Sequence, residues 1–165
     1  MPRYVVARKL LSLSGATTIT EDGTGRECFR VHGNGLSLHT ILSFQDIHGA
    51  ELAVIEQRGT ANRGYDIQRA GLFAARVRST SLVHQRVVVE MPDNTIEAAG
   101  DTLGMEYQLT RDGTTLVTVT TRWTPGGGSF AADIADIADI ADIEDQVLML
   151  AVVVAIEIIH HQEEN

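Results

Sequence analysis

One cysteine in 165 residues excludes an internal disulfide, and the lone Cys28 leaves a reducing cytosol as the default compartment. Cationic residues are also scarce: 13 Lys and Arg face 22 Asp and Glu, for a net charge of -9. Unselective nucleic-acid binding needs a cationic footprint, so this balance argues against nucleic acid as a partner. Of the basic residues only Lys9 is a lysine. At the start, MPRYVVARKLLSLSG has Arg8 and Lys9 interrupting the apolar stretch that a secretory leader needs, so no signal peptide is expected. The only long apolar segment, Val147 to Ile159, holds 13 residues with Glu157 among them. As a helix it spans roughly 20 Å, short of the roughly 30 Å hydrocarbon core, and predicts a helix buried in protein with no transmembrane span.

Signatures of enzymatic chemistry are missing as well. No Gly-x-Ser-x-Gly elbow, no Gly-x-x-x-x-Gly-Lys-Ser/Thr phosphate loop and no His-Glu-x-x-His occurs. Gly126-Gly-Gly-Ser129 lacks the lysine that would make it a phosphate cradle. Cys28 lies in a Cys-Phe-Arg-Val run, where a lone cysteine behaves as a small buried hydrophobe. The expectation is a protein that is not an enzyme and needs no cofactor.

What is present is a long series of strand-like runs. TTIT, CFRV, LAVIEQ, GYDIQ, LFAARV, QRVVVEM, EYQLT and TLVTVTTRW are rich in Val, Ile, Thr and aromatic residues. Breakers separate them at Asp22-Gly23, Gly33-Asn34-Gly35, His48-Gly49, Ala70-Gly71, Pro92-Asp93-Asn94 and Asp112-Gly113. Asp-Gly between apolar runs signals a hairpin, because Gly readily adopts positive φ. Strands over about residues 4–123 therefore form meandering antiparallel hairpins. A Gly-rich joint at 125–129 and good helix formers from Ala131 follow. Val147–Ile159 is apolar at 12 of 13 positions, so the helix has no polar face. Such a helix must be surrounded. A closed antiparallel barrel provides walls on all sides and removes exposed strand edges. The chain reads as one domain, mostly β with one long helix, its acidic lead-in and central helix together covering about 131–161.

Three stretches resemble the LURP-one-related proteins of the tubby C-terminal-like superfamily: MPRYVVARKLLSLSGATTITEDG, LSFQDIHGAELAVIEQ and DIEDQVLMLAVVVAIEIIHH. They occur in family order and span nearly the whole chain. The resemblance implies a closed barrel of about twelve strands threaded by a hydrophobic C-terminal helix. Among distant relatives, tubby domains bind phosphoinositides and phospholipid scramblases act on lipids, so anionic lipid is an implied alternative partner beside an unidentified protein or small molecule. Where relatives repeat a Lys-aromatic-Ser unit, this chain has Arg58-Gly-Thr-Ala-Asn62, Arg78-Ser-Thr-Ser-Leu82 and Arg122-Trp-Thr-Pro-Gly126, and aromatics total 5%.

Candidate binding residues are the strand-associated cations Arg8, Lys9, Arg76, Arg78, Arg86 and Arg122. Gathered on one rim they would grip a phosphate-bearing headgroup, with the protein cytoplasmic and peripheral to the membrane. As scattered outward residues they would only keep the barrel soluble. Glu157-Ile-Ile-His160-His161 places a carboxylate and an imidazole on one helix face, yet a metal site needs ligands from facing helices and none is evident. The row Asp133, Asp136, Asp139, Asp142 and Asp145 has a three-residue period, unlike a calcium loop. On an α-helix these aspartates would drift by about 60° per step, so they do not converge. Negative charge there suits the positive end of the following helix. Relatives carry a shorter acidic segment, and removing Ile137 to Asp142 restores its register, so two triplets resemble a tandem expansion.

Overall fold

The computed structural model describes residues 3–7, 16–33, 40–58, 64–79, 87–100, 106–124, 127–135 and 142–164. Twelve strands occur in chain order: β1 (Arg3–Ala7), β2 (Ala16–Glu21), β3 (Glu27–Gly33), β4 (Ile41–Asp46), β5 (Glu51–Gln57), β6 (Gly64–Arg69), β7 (Leu72–Ser79), β8 (Val87–Glu90), β9 (Thr95–Gly100), β10 (Glu106–Arg111), β11 (Thr114–Thr124) and β12 (Gly127–Ile134). One helix among the described residues, α1 (Ile143–Glu164), follows. Each strand pairs antiparallel with its sequence neighbour, and β12 pairs with β1 to close the barrel. The closed barrel threaded by a C-terminal helix is the architecture expected from the sequence.

The core follows from alternation. Tyr4 and Val6, Phe29 and Val31, Leu42 and Phe44, Val87 and Val89, and Tyr107 and Leu109 point inward, two residues apart on their strands. Against them packs a helix buried at every position from Val147 to Ile159. Full burial of each Val, Leu or Ile side chain contributes on the order of 1.5–3 kcal/mol, so the helix supplies the barrel's interior.

The strands extend further than the sequence suggested. The Gly-rich segment expected to be a joint lies largely within β12, and the first Ala-Asp-Ile triplet is its end rather than the start of a helical lead-in. Phe130, Ala132 and Ile134 enter the core, while Asp133 faces outward and pairs with Arg3 at 3.3 Å. Barrel closure requires a twelfth strand between β11 and β1, and this pairing overrides the weak strand propensity of Gly and Ala.

Antiparallel order places the turns β2–β3, β4–β5, β6–β7, β8–β9 and β10–β11 at one end, hereafter the hairpin end. Four of these five hairpins carry a β-bulge on their second strand, where Cys28, Leu52, Ala74 or Leu116 is the extra residue. These repeated strand-turn units share a geometry that increases local twist and re-aims side chains.

Candidate functional site

Two tyrosines fasten the helix. The Tyr4 hydroxyl, on the second residue of β1 at the hairpin end, donates to Gln146 Oε1 at 3.2 Å. Tyr4 also stands 5.8 Å from the Phe29 ring, which stands 5.3 Å from Phe44, so an aromatic row lines this side of the core. Burial, then the neighbouring Cys28 and Glu21, raises the Tyr4 hydroxyl above its ordinary pKa. At the opposite end, the Tyr107 hydroxyl donates to Glu157 Oε1 at 3.0 Å inside the core. The helix thus enters at the hairpin end and runs toward the other, with eleven helical steps, about 17 Å, from one fastening to the next.

Glu157 is the buried acid among the described residues, 3% exposed. Burial first, and the Glu157 carboxyl second, push the Tyr107 hydroxyl well above its usual range. A protonated phenol suits this place, because it donates to the carboxyl and keeps a phenolate charge out of the core. Gly100 permits the arrangement. It pairs with Tyr107 at a φ of 156°, and a Cβ there would stand 2.6 Å from the Tyr107 Cα. Among the described residues no group of three His, Cys, Asp or Glu side chains is placed to hold an ion, and the pairing of Glu157 with His160 falls partly outside them. The side chains of His160 and His161 lie outside the described residues.

The candidate cations are distributed around the outer wall. Arg76 and Arg78 share the outer face of β7. Arg76 Nε donates to Asp66 Oδ1 on β6 at 2.9 Å, and Arg78 Nε donates to Glu90 Oε1 on β8 at 2.5 Å. Arg58, directly after β5, approaches the same Asp66 at 3.7 Å. Arg122 sits on β11, four strands round the barrel from β7. It donates two hydrogen bonds to Asp22 in the β2–β3 turn, at 3.2 and 3.1 Å. That contact is the leading reason the Asp22 carboxyl lies below the usual carboxylate range. The three described cations therefore do not gather on one rim, and each already faces a carboxylate. An anion would have to displace that partner. Arg8, Lys9 and Arg86 lie outside the described residues.

The described members of the aspartate row stand on different elements. Asp133 is on β12 paired to Arg3, and Asp142 is exposed, with its carbonyl accepting the Gln146 N–H at 3.1 Å as the helix begins. Asp136 and Asp139 lie outside the described residues. Negative charge at that helix start matches the macrodipole, as expected. Cys28 is a partly buried free thiol at a bulge, packed against the core. Sequence reasoning found Glu157 but not its partner. Tyr107 stands fifty residues away, and no local pattern joins them.

The model of the family described as LURP-one-related matches residues 3–157. The chain belongs to that family. A crystal structure of an Arabidopsis thaliana protein superposes on this LURP-one-related chain with a TM-score of 0.65 at 14% identity, covering 94% of this chain and 88% of that one. At that identity the likeness is one of fold. No curated protein matches the sequence. Among the described residues no helix is long and apolar enough to cross a membrane.

Proposed function

We propose that this LURP-one-related protein is a non-enzymatic binding or scaffold module that works through its outer wall and its two ends. The observation supporting this is the filled lumen: Val147–Ile159 is buried throughout and occupies the space in which barrels of other kinds hold a ligand. The hydrogen-bonded Tyr107 and Glu157 are both buried in the core, which closes that pair to a substrate.

A second reading is peripheral binding to anionic lipid. It is favoured by the placement of strand ends: Ala7 of β1, which precedes Arg8 and Lys9, and Val87 of β8, which follows Arg86, lie at the same end, opposite the hairpin end. Co-sedimentation with neutral liposomes, and with liposomes carrying phosphoinositide, separates the two. The scaffold reading expects the protein to stay in the supernatant in both. Salt-sensitive pelleting with phosphoinositide, lost in an Arg8→Ala/Lys9→Ala/Arg86→Ala variant, would replace it with the lipid reading.

A further inference from the structure

The β6–β7 hairpin shows solvent two large apolar side chains that the fold does not require it to show. Leu72 is 73% exposed and Phe73 44%. Strict alternation with inward Ala75 and Val77 would send Phe73 into the core. The bulge at Ala74 reverses that: Phe73 pairs with outward Gln68, while Ala75 pairs with inward Ile67. The Arg76 guanidinium lies 5.5 Å from the Phe73 ring centre and is itself held by Asp66, which fixes the ring's orientation. Ile47, 45% exposed, lies on the β4–β5 turn at the same end.

The β10–β11 hairpin serves as an internal control. It has the same two-residue turn with both residues at positive φ, Asp112 and Gly113 against Ala70 and Gly71, and the same bulge three residues past the glycine. Its equivalents of Leu72 and Phe73 are Thr114 and Thr115. The hairpin geometry therefore accepts polar residues at these positions.

The surroundings define what would cover the apolar pair. Exposed carboxylates stand on other elements of this end: Glu51 on β5, Asp93 on β8–β9, Asp112 on β10–β11 and Asp142 ahead of the helix. The arginines here are engaged, Arg26 by Glu21 at 2.9 Å and Arg69 and Arg111 by other groups. An acidic surround repels anionic bilayers, nucleic acid and a second copy of the same end. We infer that Leu72 and Phe73 are the anchor of a docking surface for a cationic protein segment, in which an apolar side chain flanked by Lys or Arg packs on the pair. This deepens the binding-module reading by naming the partner's chemistry.

The test uses the full chain and a Leu72→Thr/Phe73→Thr variant, which borrows the residues of the β10–β11 hairpin and is expected to melt with the parent. The probe is a synthetic amphipathic Leu/Lys peptide, with a Leu/Glu peptide of equal length and anionic vesicles as counter-probes. Expected is saturable, salt-weakened binding of the Leu/Lys peptide, with amide shifts centred on β6–β7 and at least about tenfold loss in the double variant. Equal binding by parent and variant, or no binding by either, overturns the docking surface and leaves the binding-module reading standing. Parent-only binding to vesicles overturns both, replacing them with a membrane-docking hairpin.

Discussion

The β6–β7 and β10–β11 hairpins have closely matching backbones and opposite outer surfaces. Both turn on two residues in the left-handed region, both insert a bulge three residues after the turn glycine, and both send alternate side chains onto the central helix. Outside, one carries Leu72 and Phe73 and the other Thr114 and Thr115. Their inner faces are constrained by a helix with no polar face, so Ile67, Ala75 and Val77 on one hairpin and Tyr107, Leu109, Val117 and Val119 on the other are all buried. Their outer faces have no such constraint, and function has room to act there.

The contrast is broken most severely from inside. Val152→Asp puts an unpaired charge on a helix position with no exposure, and should abolish cooperative unfolding in a thermal melt. A cooperative transition near that of the native protein would show that the helix does not hold the barrel. Next in size, Gly100→Ala forces a Cβ into the backbone of Tyr107, and should cost about 3 kcal/mol and roughly 10 °C in Tm. An unchanged melt would mean that β9 and β10 separate freely.

Tyr107→Phe removes the donor to Glu157 and should cost about 1–3 kcal/mol by urea denaturation at neutral pH. Its pH dependence carries the sign. The folded tyrosine keeps its proton where an unfolded one releases it, near pH about 10, so native stability falls as pH rises past that value. The phenylalanine variant should lose that part of the alkaline slope; parallel profiles would remove Tyr107 as the titrating group.

The smallest effects belong to the outside. Exchanging the outer pairs, Leu72→Thr/Phe73→Thr in one variant and Thr114→Leu/Thr115→Phe in another, should move stability by no more than about 0.5 kcal/mol. A substantial loss in the first would show that the apolar pair supports the fold instead of a partner. Deleting Ile137 to Asp142 should likewise shift Tm by less than about 2 °C. A drop of many degrees would show that the extra triplets pack against the barrel.

Much of the barrel was legible because its strands alternate and its turns use Gly and Asp where positive φ is needed. The least legible strands, β9 and β12, are those with weak local signals. Thr-Ile-Glu-Ala-Ala-Gly and Gly-Gly-Ser-Phe-Ala-Ala-Asp-Ile contain few β-branched residues, and their strand state comes from partners on both sides. The described candidate cations, Arg76, Arg78 and Arg122, were legible as strand residues but not as ion pairs. Asp66, Glu90 and Asp22 reach Arg76, Arg78 and Arg122 across 10, 12 and 100 residues of chain.

By itself the sequence determined that this chain must wrap a sheet around an apolar helix. A helix without a polar face has no stable place in water, and a run of short strands closed on itself is the economical way to cover it. Only the tertiary structure decided how the polar exceptions are resolved. It set Tyr107 against Glu157, converted the glycine joint into the closing strand and, through one extra residue at Ala74, turned Phe73 from the core to the surface. Register, bulges and pairings between distant segments settle such outcomes, and local periodicity does not encode them.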